Sequence, residues 1–418
     1  MRPQVLLVLV AFNLTTAAVA AADDGGAAHD EGVAALDEAA LLARLEQADP
    51  RFARLAADID VAIAEVAAVA VRAEPEVELE REQAFGGGGG ATSYARLTVP
   101  LDLSGRRGRR IAAARTAVAA TRADTEHARL ELLVDAMRVF DEAAHARRHL
   151  ETLRAERAAL VRVVDIVRKR AGAGASSGYD LQRFELELDA YDDLLATADT
   201  RLHAARIALA TLLGAPEPLL DAVSALALPR RPPPLAELTT TILDHRADHR
   251  AALLRVRGAD QLVAEAGRAW IPGLGISAGA IWQDVGDAQA FGYTAGLSLS
   301  LPIFDRGRAA RARAQAARRV AAADARAIEV RVGGTLRARH AVLERRIDQA
   351  ERLAAGPLAR LEGLLRAAET AYREGEGNVV ELLDAYQTAR DLRLRDLDLR
   401  RDARLAALDL WLVSGRRP

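Results

Sequence analysis

The sequence predicts a mainly α-helical protein with a small β part, built as a tandem duplication of one long helical-hairpin unit. Three observations carry this. First, a helix-period segment breaks at Arg170, Gly172 and Gly174 and restarts at Ser177, and the same punctuation returns at Arg373, Gly375 and Gly377 before Asn378. Second, a shift of 199 to 203 residues relates further landmarks, among them Tyr94 with Tyr293 and Arg107-Gly108-Arg109 with Arg306-Gly307-Arg308. Such long-period self-similarity marks a repeated structural unit. Third, each copy holds a stretch where the apolar period drops from helical to two, the signature of paired strands.

Each turn has a local physical cause. Glycine ends a helix because it enters the left-handed region without a Cβ penalty, and Ser or Asn restarts the next helix by capping its free N–H groups. Ser177-x-x-Asp180 and Asn378-x-x-Glu381 both have the spacing of a capping box. Downstream of the first turn, Leu181, Phe184, Leu188, Tyr191, Leu195, Ala198 and Leu202 step by three and four, a heptad seam. Leu150, Leu153, Leu160, Val164 and Val167 offer the matching seam on the preceding helix, so the two should pack as an antiparallel hairpin. From Gly105 to Lys169 the pattern is helical throughout, and the second copy repeats it from Asp305, an expected N-cap, to Ala371 and then from Val379 to Val413. One earlier helix is expected from about Asp37 to Val71.

The period-two stretches are amphipathic. Val77 and Leu79 alternate with Glu76, Glu78, Glu80 and Glu82, and Ala95, Leu97, Val99 and Leu101 alternate with Thr92, Tyr94, Arg96 and Thr98. In the second copy Leu274, Ile276, Ala278, Ala280 and Trp282 oppose small residues, as do Phe291, Tyr293, Ala295, Leu297 and Leu299; a polar loop is expected at 283–289. An apolar face opposite a small, polar one suits a transmembrane barrel strand, with lipid outside and water within. Four strands cannot close alone, since the smallest such barrels have about eight. An open edge in lipid would leave backbone groups unpaired, so oligomerisation is expected.

Composition narrows the function classes. Aromatic residues make up 4% and charged residues 28% of 418, a composition of long helices, and the net charge of -2 gives no reason to expect nucleic acid. Met1-Arg2, the apolar run from Val5 to Leu14 and Ala18-Val19-Ala20 read as a secretory signal peptide over 1–20, followed by a flexible Ala/Gly/Asp-rich segment over 21–40. The first repeat then spans 41–215, a proline-rich linker crossing outside the helices spans 216–235, and the second repeat spans 236–415. The absence of cysteine excludes disulfides, thiolate metal sites and a Cys nucleophile.

Taken together these residues resemble the outer-membrane efflux proteins, the TolC-like channels, over essentially the whole chain after the signal peptide. The resemblance rests on the duplicated order of helix, two strands and long hairpin. It rests also on Leu301-Pro302-Ile303-Phe304-Asp305-Arg306-Gly307 opening a long helix, and on Tyr372-x-x-Gly375 followed by Val380-Glu381-Leu382-Leu383-Asp384. It implies a homotrimer whose strands form one 12-stranded barrel in outer-membrane lipid and whose helices form a periplasmic α-barrel, reached by a periplasmic adaptor protein and an inner-membrane efflux pump. Glu74 to Glu80, with Phe85-Gly86-Gly87, and Leu103 to Ile111 look most like the branch serving heavy-metal cation pumps.

By the same resemblance, Glu381 and Asp384 stand where the family carries its carboxylate pore constriction, and Asp180 and Tyr372 where it carries an interhelical lock. Gly377 replaces a basic residue found nearby in some members. The adaptor-docking tips fall at Arg170, Gly172, Ser177 and Leu181 and at Gly375, Asn378 and Leu382. Helix termination and capping account for the same residues locally, and Glu381 in particular could spend its charge on the cap of Asn378.

No catalytic set emerges. Gly275-Ile276-Ser277-Ala278-Gly279 matches the G-x-S-x-G pattern, but that motif works only at a sharp strand-to-helix turn, whereas here it lies inside a period-two run. The glycine run 86–90 precedes a strand rather than a helix, unlike a phosphate loop. His145 with His149, and His245 with His249 beside Asp244 and Asp248, have the i,i+4 spacing of a helix-borne metal pair. Their place along helix shafts favours solvated surface positions instead. No cofactor and no metal are expected, and the chain reads as a passive channel; the rival class is a coiled-coil interaction protein without a pore.

Overall fold

The computed structural model describes residues 34–85, 90–174, 177–214, 219–285 and 288–416. The expected signal peptide lies outside them. The first copy runs β1 (Ala34–Leu36), α1 (Glu38–Ala48), α2 (Pro50–Ala70), β2 (Glu76–Gln83), β3 (Ala91–Leu101), α3 (Arg106–Gly172) and α4 (Gly178–Leu212). Then come β4 (Leu220–Ala222), α5 (Leu235–His245), α6 (Ala247–Ala266), β5 (Gly273–Val285), β6 (Ala288–Ser300) and α7 (Arg308–Leu353). A five-residue π-helical turn (Ala354–Leu358) leads into α8 (Ala359–Glu374), and α9 (Val379–Ser414) completes the second hairpin.

The heptad seam forms the core of the first hairpin. Leu153, Leu160 and Val167 of α3 and Phe184 of α4 are fully buried, and Tyr191 and Ala198 nearly so. They join Leu361, Leu365, Leu382, Leu383 and Tyr386 of the second hairpin in one apolar cluster, so the two hairpins share a core near their tips. Burying each large side chain contributes roughly 1.5–3 kcal/mol. Polar links run alongside: Arg390 of α9 pairs with Glu187 of α4 at 3.1 Å and lies 5.4 Å from the Tyr191 ring. Arg393 of α9 reaches both buried Glu156 of α3 and Glu362 of α8. Tyr386 donates to Glu369 at 2.5 Å, and burial, with this bond second, pushes its phenol well above the usual range.

Several expectations need correction. The first helix is two: Asp49 leaves the helical region at φ -84, ψ 115, because the residue before proline disfavours α, and its carboxylate then caps α2 by accepting from the Arg51 N–H at 2.9 Å. Of the segment 21–40, expected to be flexible, residues 21–33 lie outside the described residues and the remainder is structured, for β1 pairs in parallel with β4 and Leu36 is fully buried. The linker 216–235 is not an external crossing over its whole length either, since Leu220, Ala222 and Leu226 are buried in the same cluster as Leu36. Isolated leucines in an Ala- and Pro-rich stretch are what seat it. Finally, α7 is not capped by Asp305: its N-cap is Gly307 at φ 75, with Asp305 accepting one turn further in, from the Ala309 N–H at 3.2 Å.

The sheet β2-β3-β5-β6 is antiparallel throughout. Its second pair is longer than the alternation suggested, because β5 and β6 consume most of the expected loop at 283–289.

Candidate functional site

The strand register decides what the sheet presents. Val77 pairs with Leu97, Leu97 with Ala278, and Ala278 with Ala295; one step along, Leu79, Ala95, Ala280 and Tyr293 line up in the same way. Because side chains alternate across a pleat, every apolar set falls on one face and forms a belt across all four strands. That belt is uncovered: Leu79 is 78% exposed, Leu297 71% and Phe291 71%. The opposite face carries Glu76, Glu78, Glu80 and Glu82, then Thr98, Ser277 and Gly296 in register, with Glu78 bound to Arg96 at 2.9 Å. Ser277 sits in extended backbone opposite Gly296, the arrangement of a strand residue and not of a nucleophile elbow. Strands β2 and β6 are the two open edges. No helix of the described residues is long and apolar enough to cross a membrane.

At the other end of the shafts lie the two tips. Helix α3 runs through Gly172, and the left-handed residue is Gly174 at φ 73. Gly172 is exposed, and a Cβ there would meet nothing within 4 Å. Ser177 caps α4 by accepting from the Asp180 N–H at 3.2 Å, and the Asp180 carboxylate accepts in return from the Ser177 N–H at 3.1 Å. The second tip repeats this: Gly375 is left-handed at φ 81, Asn378 accepts from the Val380 and Glu381 N–H groups, and Glu381 accepts from the Asn378 N–H at 3.3 Å and side-chain amide at 3.0 Å. Both capping boxes are complete.

The residues named from the sequence therefore divide. Glu381 is engaged in its own cap, whereas Asp384, one turn on, is exposed and has no ionic partner among the described residues. Leu382 is 2% exposed and belongs to the shared apolar core, which removes it from any docking surface; Leu181 is half-buried against the same core. Arg170, expected at the docking tip, bridges the two hairpins. Its guanidinium donates to the backbone carbonyls of Tyr372 and of Arg373, the latter at 2.7 Å, and lies 5.0 Å from the Tyr372 ring centroid. It thus ties the C-terminal turn of α3 to the C-terminal turn of α8, where unpaired carbonyls and the helix dipole favour a cation. The Tyr372 position identified as a lock is engaged from the first hairpin by Arg170, and Asp180 by its own cap. Nothing in the sequence could reveal the clasp, because its partners are carbonyls about 200 residues away.

Two of the four histidines expected at solvated positions are not there: His245 is exposed and His149 half-buried, but the other two lie inside. His145 and His249 are buried, with His145 Nε2 2.9 Å from an Asp398 oxygen and His249 Nε2 3.4 Å from Glu329. Among the described residues no group of three or more His, Asp or Glu is placed to hold a metal ion.

A family model described as outer membrane efflux protein matches residues 41–215 and 238–416. No curated protein matches the sequence. Among solved structures, CusC, solved in connection with folding and transmembrane channel formation, shares 17% identity at a TM-score of 0.75, over 91% of this chain and 92% of that one. The outer membrane protein VceC of Vibrio cholerae shares 19% at 0.72, over 91% and 96%. The MtrE outer membrane channel of Neisseria gonorrhoeae, solved in its open state, shares 16% at 0.71, over 90% and 88%. At such identities the likeness to these structures is one of fold.

Proposed function

The chain belongs to the outer membrane efflux protein family, placed in the outer membrane and extending into the periplasm, and from that premise we propose that three copies form one exit duct. The supporting observation is the sheet. Four strands with an uncovered apolar belt and two open edges leave backbone groups that lipid cannot satisfy, and three such sheets joined edge to edge give twelve strands and no edge. The glutamate-bearing face then lines the water-filled interior. Solute passes through passively, with an inner-membrane pump supplying the energy through a periplasmic adaptor, and the chain performs no catalysis and binds no cofactor. Purified protein should run as a heat-sensitive trimer in detergent and give stepwise conductance in planar bilayers. A monodisperse water-soluble monomer without conductance would instead mark a coiled-coil interaction protein.

The adaptor contact is assigned to the exposed residues of the two tips, Gly172 and Ser177 on one and Asn378 on the other. Gly172→Trp is the clean test, because the site is open; loss of efflux with trimer and conductance intact supports the contact, and unchanged efflux moves it elsewhere. Gly375 is a poorer probe, since any side chain there meets a left-handed backbone.

The gate is assigned to the same end. Asp384, with Glu381 beside it, would place a ring of carboxylates around the trimer axis, favouring cations as other acidic pore rings do. Heavy-metal cations are the cargo that suits such a duct, and a deletion strain complemented by this chain should regain metal tolerance. In single-channel recordings, Asp384→Asn should lower cation selectivity and relieve divalent block more than Glu381→Gln, whose carboxylate is spent on a cap. Equal loss from both, or loss from neither, counts against the ring.

A further inference from the structure

Where the two copies meet, beside residues 227–233, the protein forms an open cavity of about 510 Å³. Its wall is mostly apolar, from Leu42, Met137, Leu343, Leu408 and Trp411 among others. At its buried side stands Asp141. One carboxylate oxygen accepts from Arg404 Nε at 2.8 Å, while the same guanidinium also holds Glu38; the other oxygen, Oδ2, is buried with no hydrogen-bond partner. Two carboxylates thus share one guanidinium, and an acceptor in an apolar wall is left unmet. A buried polar atom without a partner is a cost that native proteins seldom leave standing. Burial pushes the Asp141 carboxyl up to about 6 against the opposing pull of Arg404.

The outer side of the cavity has the opposite character. Arg230 is exposed and Arg416 half-buried, and neither has an ionic partner among the described residues; the remaining arginine there, Arg231, is spent on Asp348 and Glu351. An unmet carboxylate at depth, an apolar middle and two unspent guanidiniums outside describe the complement of one kind of molecule. We propose that this cavity binds a small zwitterion with an apolar body, the chemistry of an aliphatic dipeptide, its ammonium on Asp141 and its carboxylate at Arg230 and Arg416. The volume lies within the range of ordinary small-molecule sites, roughly 300–1,000 Å³. A ligand there would touch α1 and α3 of the first copy and α5, α7 and α9 of the second, and so would hold the two copies together.

The test uses the full chain as purified and reconstituted in lipid nanodiscs, with Trp270→Phe and Trp282→Phe leaving Trp411 as the sole tryptophan, excited selectively at wavelengths where tyrosine does not absorb. Three probes are titrated: leucyl-leucine, its C-terminal amide and its N-acetyl derivative. The free dipeptide should bind most tightly, the amide less so, and the acetylated form at least tenfold more weakly, the cost of one lost charge-assisted contact. Asp141→Asn should weaken the dipeptide by a similar factor while leaving the acetylated form unchanged. Arg230→Gln with Arg416→Gln should weaken the dipeptide and spare the amide. Equal affinity for all three probes, or no binding at millimolar concentration, overturns the proposal without reliance on any cavity variant.

Discussion

The two hairpins of this chain use the same terminal grammar on different shafts. Each tip has a left-handed glycine, Gly174 or Gly375, followed by a complete capping box, Ser177 with Asp180 or Asn378 with Glu381. The ascending helix of the first hairpin is one uninterrupted run of 67 residues. Its counterpart in the second is broken at Ala354–Leu358, where Gly356-Pro357 sits in a π-helical turn between α7 and α8. Proline removes an N–H and crowds the preceding turn, and a π-turn accommodates the misfit by widening the helix locally. Identical ends on unlike shafts teach that capping fixes where a helix stops, while its stiffness is set separately by one or two residues far from either end. The clasp from Arg170 to the end of α8 then joins the rigid hairpin to the interrupted one.

This contrast can be broken at several points, and the largest effect is expected from copying the interruption onto the first shaft. Ala155 is exposed on α3 at the place corresponding to Pro357, so Ala155→Pro changes backbone alone. It should cost about 3 kcal/mol or more and lower the trimer's melting temperature, whereas Pro357→Ala should leave that temperature unchanged or raise it. Comparable losses from both would show the two shafts to be equivalent.

Removing the clasp should come next. Arg170→Ala gives up hydrogen bonds from a charged donor to two carbonyls, about 1.5–3 kcal/mol in all. Spin labels introduced through Gly172→Cys and Glu376→Cys have no native cysteine to compete with them. Their distance distribution should broaden and lengthen in the Arg170→Ala background, and an unchanged distribution would place the tie between the tips elsewhere.

The caps should respond alike. Ser177→Ala and Asn378→Ala are each expected to cost about 1 kcal/mol, read as faster amide exchange in the first turn of α4 or α9. A much larger loss at Asn378 would mean that its amide contact with Glu381 carries weight beyond capping. Smallest of all, and opposite in sign, are the glycines. Gly172→Ala should stabilise by about 0.5–1 kcal/mol because it is helical and open, while Gly375→Ala should destabilise because its φ is 81.

Most of the scaffold was legible from residue order. The seam of Leu153, Leu160, Phe184 and Tyr191, the strand faces and both capping boxes follow from periodicities and spacings that act within a few residues. The interruption at Gly356-Pro357 was not read: the stretch from Asp305 to Ala371 was expected to be helical throughout, because helical periodicity on either side masks a π-turn, which shifts phase without changing which residue types are apolar. The break at Asp49-Pro50 was hidden in the same way.

Other features depend on groups that meet only after folding. Leu382 passes from surface to core because α9 lies against the first hairpin. The sequence alone determined the duplicated helical hairpins, the amphipathic strand pairs and the turns between them, because each is specified by contacts between near neighbours. Tertiary structure decided the belt across four strands, the Arg170 clasp and the cavity at Asp141. Each of these needs groups from both copies of the repeat in one place, and no local pattern encodes a partner some 200 residues distant.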